Sequence, residues 1–427
     1  MTREVFVIGV SMTPFGRFPE SSAKQLAELA VAASLEDAGI SRADIEGVYY
    51  GNAMQGHMDG QHCIRGQVAL RGNGFSRVPI INVENACASG ATAFAEAVKF
   101  LRAGDAEIAL AIGVEKLFSD DRARTFSAFD SAWDVSTVDA NISRLSSLGE
   151  GTVVPPGTVS PKPYSRFMDV YAAFARFNMR EFGLTSRHLA VIASKSHSNS
   201  VHNERAQFRQ AYTIEEVLAA PPIVYPLTLP MCSPISDGAA AAIICTREGL
   251  RRLGISSDRA VRVLASVVGS GTDRTPDEYA TKHIARVVSQ RAYERAGIGP
   301  DDIDVAEVHD ATAVGEAIVT EGLGFAAPGE GGAIAEAGVT SLGGRLPVNP
   351  SGGLISKGHP VGATGLGQIF ELTSQLRGEC GPRQVDGARF ALAENGGGLW
   401  GYEEAACAIT ILEKPERQSV SISTRIR

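Results

Sequence analysis

Short apolar runs bounded by turn residues alternate with longer stretches whose apolar positions recur every three to four residues, and this change of period predicts strands interleaved with helices. Strands are expected near residues 4–10, 46–51, 78–83, 107–114 and 239–246, and again near 261–269, 303–308, 388–394 and 405–413. Ala91 to Leu101 and Phe167 to Phe182 carry the helical spacing. The order reads as two α/β halves, with an excursion at about residues 118–235 hung on the strand ends where open α/β sheets bind ligands. The expected units are 1–117 with 236–255, the inserted loop domain 118–235, a second half 256–413, and a polar, frayed tail 414–427.

An internal repeat supports the two-half reading. Glu36-Asp37-Ala38-Gly39-Ile40 through Asp44-Ile45 matches Glu294-Arg295-Ala296-Gly297-Ile298 through Asp302-Ile303, at a constant offset of 258 residues (36 to 294). Each copy reads as a helix end, a glycine cap and a following strand. The first is followed by Cys87 ahead of a helix, the second by His359 ahead of another.

Cys87 stands in Glu84-Asn85-Ala86-Cys87-Ala88-Ser89-Gly90, between a short strand and that helix. A helix N-terminus offers free N–H groups and positive dipole, which lower a thiol's pKa and make it a nucleophile. His359 is followed by Pro360, which keeps its backbone extended and projects the imidazole from the helix start. Taken alone, the cysteine reads more readily as a buried core residue and the histidine as a solvated loop residue. The duplication is what pairs them, each half contributing one residue where two helix N-termini meet.

Bulk properties narrow the class. With 427 residues, the chain exceeds one ordinary core. A net charge of −8 argues against a general nucleic-acid binder, while a local basic patch for a phosphorylated ligand remains compatible with it. The six cysteines show no Cys-x-x-Cys spacing, so neither a zinc site nor a disulfide framework is expected. No apolar run approaches the roughly 20 residues of a membrane span, and the N-terminus reads as a strand rather than a signal peptide. With no peroxisomal tripeptide at Arg425-Ile426-Arg427, the cytosol is the expected compartment.

Cys87 to Gly90 (Cys-Ala-Ser-Gly), Ser236 to Ala241 (Ser-Asp-Gly-Ala-Ala-Ala), His309-Asp310 and Gly358 to Gly365 (Gly-His-Pro-Val-Gly-Ala-Thr-Gly) together resemble the thiolase superfamily. Within it, the chain is similar to the sterol-carrier-protein-type (SCP2-like) thiolases over nearly its whole length. The resemblance implies a duplicated five-layered αβαβα fold, a homodimer or larger homo-oligomer, and coenzyme A thioesters as substrates with no bound cofactor. It implies that Cys87 accepts an acyl group and His359 activates it. His309 falls where many thiolases keep a water-holding Asn and would share an oxyanion site with His359. A second oxyanion site would pair the Cys87 N–H with that of Gly396 or Gly397. The plainer reading of His309 is a strand-end residue tied to Asp310.

The chain departs from its relatives at the second catalytic cysteine, present in neither Cys-x-Gly nor His-Asp-Cys-Phe form. The matching segments read Glu394-Asn395-Gly396-Gly397-Gly398 and His309-Asp310-Ala311-Thr312. Alignment on the glycines puts Glu394 in the vacant place, or Asn395 after a one-residue slip. A buried carboxyl of raised pKa can move a proton, so Glu394 is either the replacement base or a capping residue near the site. Lys195, Arg205 and Arg209 are candidates for the nucleotide end of coenzyme A, with a solvated surface as the plainer reading. Relatives lacking the second cysteine work with a small zinc-ribbon and OB-fold protein, so such a partner is compatible with the chain. The expected reaction is cleavage or formation of a carbon–carbon bond of a 3-oxoacyl-CoA. A retro-aldolase acting on a sterol or other bulky side-chain acyl-CoA, and a non-catalytic acyl-CoA or lipid binder, are the alternatives.

Overall fold

The computed structural model describes residues 3–415, so most of the expected tail 414–427 lies outside the described residues. The first half is built from β1 (Val5–Met12), α1 (Ala23–Ala38), β2 (Gly47–Gly51), β3 (Ile80–Val83), α2 (Ser89–Ala103) and β4 (Ile108–Glu115). The excursion contributes α3 (Phe167–Phe182) and α4 (Ser186–Ser200), and β5 (Gly238–Thr246) completes the half. The second half holds β6 (Val261–Ser270), α5 (Ile284–Ala296), β7 (Val305–Glu307), α6 (Ala313–Gly322), α7 (Thr364–Arg377), β8 (Phe390–Gly397) and β9 (Ala406–Glu413).

The strands run in the order β3-β2-β4-β5-β1-β6-β9-β8-β7. β2-β4-β5-β1 and β7-β8-β9-β6 are therefore the same arrangement twice. The isolated bridge Ala306–Val348 stands where β3 pairs with β2 in the first copy. The halves join through β1 and β6 at Phe6–Arg262 and Val7–Val261. In both copies the repeated Gly-Ile caps a helix in the left-handed conformation, Gly39 at φ 67° and Gly297 at φ 71°.

Both faces of each sheet half are covered, which is why the strands read as near-continuous apolar runs. Val5 and Val7 face a middle core shared with Phe94 and Leu101 of α2 and Leu366 and Ile369 of α7. Phe6 and Ile8, one residue out of phase, face α1 instead. On the far side α5 closes a third core with Val267, Ile409 and Ile411. The layers are thus α1, first sheet half, α2 with α7, second sheet half, and α5. The excursion packs α3 and α4 against Ala313, Val314 and Ala317 of α6, covering the strand ends of the second half. Among the described residues no helix is long and apolar enough to cross a membrane.

Candidate active site

β3 delivers the chain to a tight turn at Ala86–Ala88, and α2 starts at Ser89. Ala86 has φ 48°, a region that disfavours residues with a Cβ, and its amide is held by Glu84 Oε1 at 2.6 Å. Ser89 Oγ accepts from the Asn85 N–H at 2.9 Å and donates to Ala86 O at 2.7 Å, pinning the turn around Cys87. The N–H groups of Gly398, just past β8, and of Cys87 itself point to the sulfur. Burial, and then the charge of Glu115, outweigh them and push the thiol up to about 12. The expectation of a thiolate at rest is therefore overturned. Cys87 rests as a neutral thiol and needs a neighbouring base.

His359 follows Gly358, whose φ of 115° admits no ordinary side chain. The His359 N–H donates to Ser236 Oγ at 2.9 Å, and its Nδ1 lies 2.7 Å from Thr364 Oγ1. The single Thr364 hydroxyl proton goes to Pro360 O at 3.0 Å, so the hydroxyl oxygen accepts from His359 Nδ1–H. That selects the tautomer with a free lone pair on Nε2. Burial, and then His309, hold the imidazole well below its ordinary pKa, so it is neutral at rest.

His309 is not tied to Asp310, whose Oδ1 instead accepts from the Leu354 N–H at 2.6 Å. Both ring nitrogens of His309 are buried without a hydrogen-bond partner among the described residues, and its ring faces that of His359 with centroids 5.3 Å apart. Burial pushes it down to about 4, leaving a neutral ring with one N–H to donate. The Cys87 sulfur and one ring nitrogen of each histidine lie within 4.8 Å of one another. These three donors suit one thioester, and would also suit a soft divalent cation.

Glycines bring the halves this close. A Cβ on Gly90 would stand 2.6 Å from Gly362 O, and one on Gly365 would stand 2.6 Å from both Ala91 N and Ala91 Cβ. The junction is locked by Glu115, fully buried at the end of β4. Its carboxylate accepts from the N–H groups of Ala53, Met54 and Gly362 at 3.0, 3.1 and 3.0 Å.

The N-terminal thiolase domain matches residues 5–214, and the thiolase C-terminal domain-like family matches residues 272–412. The chain belongs to the thiolase family. An acetyl-CoA acetyltransferase of Methanothermobacter thermautotrophicus is 37% identical over 403 residues, 93% of this chain and 97% of that protein. Human sterol carrier protein 2 is 36% identical over 92% of this chain and 70% of its own length. Solved structures that share the fold include the Ltp2-ChsH2(DUF35) aldolase and human mitochondrial 3-ketoacyl-CoA thiolase. The aldolase has a TM-score of 0.74 at 24% identity, covering 97% of this chain and 98% of its own. The thiolase has 0.68 at 20%, covering 96% and 99%.

This thiolase is an acyltransferase by family and by its relatives. Several expected site residues sit elsewhere than the sequence suggested. The N–H that reaches the Cys87 sulfur belongs to Gly398 rather than Gly396 or Gly397. Gly397 is instead a close-approach position, since a Cβ there would meet Asn85 O at 2.2 Å. Glu394 lies behind the site, its Oε2 accepting from the His309 N–H at 3.0 Å and its Oε1 from Cys407 Sγ at 3.5 Å. Lys195 is buried in an ion pair with Glu316 and donates to Val348 O at 2.9 Å, so it does not face solvent or a nucleotide. Arg205 donates to Met12 O at 2.6 Å and covers the Phe370 ring. Arg209 is exposed and donates to Val201 O at 3.3 Å.

Sequence reasoning missed Glu115, Gly398 and Glu404, the last on the turn between β8 and β9. Only Thr364 carried a signal, as the last residue before glycine in the Gly-His-Pro motif.

Proposed function

We propose that this thiolase cleaves or forms the carbon–carbon bond of a 3-oxoacyl-CoA through an acyl group held on Cys87. The observation that carries this reading is the convergence of the Cys87 sulfur with a neutral His359 whose Nε2 lone pair is free. His359 takes the thiol proton, and the sulfur attacks the carbonyl. Neutral His309 donates its ring N–H to a thioester oxygen, and the N–H groups of Cys87 and Gly398 stabilise the oxyanion formed on the acyl carbon. A cavity walled by Tyr171, Phe174, Phe177 and Tyr279 supports an apolar acyl group.

Coenzyme A enters as substrate, with Arg205 and Arg209, both exposed, as the candidates among the three basic residues for its phosphates. β3 is an edge strand with Ile81 48% exposed, which supports pairing with a second copy in a homo-oligomer. The structurally similar Ltp2-ChsH2(DUF35) aldolase includes a DUF35 component, which supports a small partner protein for this chain as well.

Incubation with an acyl-CoA followed by acid quench is expected to add the acyl mass to the peptide carrying Cys87. Product accumulation without that adduct would reject the intermediate. Thr364→Val, which removes the acceptor for His359 Nδ1–H, is expected to lower kcat on the order of 10–100-fold with KM little changed. Steady-state kinetics read this, and an unaltered kcat would show that the tautomer is set by something else.

A further inference from the structure

We infer that Glu404 moves the proton at the substrate α-carbon, standing in the space that a second cysteine fills in many thiolases. This rests on the acyl-Cys87 reading above.

The backbone identifies the vacant position. β8 runs through Gly396, which is ordinary strand and not among the glycines with positive φ. A Cβ added there would point at His309 Nδ1, 3.0 Å away. That space is occupied: Glu404 Cγ lies 2.7 Å and Cδ 3.3 Å from the same point. Glu394, on the same face two residues earlier, is engaged by His309 N–H and Cys407. Residue 396 therefore faces the reacting groups, and the turn joining β8 to β9 folds Glu404 back over it.

The carboxyl of Glu404 is poised rather than paired. Arg274 is committed to Glu403, with its Nε 2.6 Å from Glu403 Oε2 and its Nη2 2.9 Å from Tyr402 O. His283 Nε2 lies 3.9 Å from Glu404 Oε2, but burial pushes that imidazole down to about 3, so it supplies no positive charge. Among the described residues no other side chain donates a hydrogen bond to Glu404. Burial, offset in part by its own backbone N–H and aggravated by Glu403, pushes Glu404 up to about 7. It lines the same aromatic cavity as Tyr171 and Tyr279, and His309 Nδ1 beside it is buried and unpartnered.

The chemistry balances with these groups alone. In cleavage, His359 takes the Cys87 proton as sulfur bonds the 3-carbonyl carbon. The C2–C3 bond then breaks, and its electron pair remains on C2 as an enolate that takes the proton of the Glu404 carboxylic acid. The C1–C2 fragment leaves as acetyl-CoA or its 2-substituted equivalent, while the shortened acyl group stays on Cys87. The incoming coenzyme A thiol gives its proton to the Glu404 carboxylate and attacks the acyl carbon. Cys87 departs and recovers its proton from His359, restoring all three groups. In synthesis the Glu404 carboxylate removes the α-proton of the acyl-CoA.

Glu404→Gln keeps the shape and removes the titrating group. It is expected to lose at least about 100-fold in thiolysis of acetoacetyl-CoA and in deuterium uptake at the α-carbon of acetyl-CoA in heavy water. Acylation of Cys87 by acetyl-CoA is expected to survive, because a thiolate departs without a proton. Glu404→Asp should keep part of the exchange. Glu404→Ala combined with Gly396→Cys should exchange faster than Glu404→Ala alone, a gain that a merely structural role would not give. Wild-type exchange and thiolysis in Glu404→Gln would overturn the inference. If Glu404→Gln is fully active while Cys87→Ala is dead, this inference alone falls. Wild-type turnover in Cys87→Ala would instead remove the reading on which it rests.

Discussion

Replacement of Cys87 by alanine is expected to lower thiolysis of a 3-oxoacyl-CoA by at least about 10⁴-fold and to leave no acyl adduct. The alanine keeps the turn at Ala86–Ala88, the neutral His359 and the backbone N–H groups, so substrate still binds and an oxyanion would still be stabilised. What disappears is the only group at this point that forms a covalent bond to the acyl carbon. Because desolvation pushes the Cys87 thiol up to about 12, loss of the proposed base His359 should be nearly as severe. The same variant separates the competing reaction. A retro-aldol cleavage passes through an enolate without an acyl-enzyme, so it would survive in part in Cys87→Ala. Turnover assayed with 3-oxoacyl- and 3-hydroxyacyl-CoA esters decides between them.

Gly365→Ala is expected to cost about 3 kcal/mol of stability and on the order of 100-fold in kcat, although this residue touches no substrate. Its Cβ would stand 2.6 Å from Ala91 N and 2.7 Å from Asn395 Oδ1, and a backbone amide in the first turn of α2 cannot yield as a flexible side-chain tip would. The helices α2 and α7 must then separate. They carry Cys87 and His359 at their starts, so the same displacement that strains the middle core widens the gap across which the proton passes. Thermal denaturation together with kcat checks both halves of the expectation. A variant that loses stability but keeps kcat would show that the site tolerates the shift.

Much of this architecture was legible in the chain because local patterns report local physics. All nine strand segments read from periodicity appear in the main sheet, and the Gly-Ile-Asp repeat lies at the two helix caps where the copies correspond. Cys87 and His359 could be paired because the duplication implies equivalent places, and equivalent places in a two-fold arrangement meet at the middle layer. Charge state was not legible in the same way. The helix-start argument pointed to a depressed thiol pKa, yet burial and Glu115, which lies 28 residues away in the chain, decide the opposite.

The amino-acid sequence by itself determined the two α/β halves and the two segments that bring Cys87 and His359 together, because strand period, helix caps and the Gly-His-Pro segment act within a few residues of each other. Only the tertiary structure brings Glu404, the proposed stand-in for the second cysteine, to this place. Glycine alignment pointed to Glu394, but that carboxylate is engaged by His309 N–H and Cys407, while the turn before β9 brings Glu404 into the place above Gly396. Whether a carboxyl is engaged or free depends on which donors surround it in three dimensions, and neither Arg274 nor His283 announces in the chain that it leaves Glu404 unpaired.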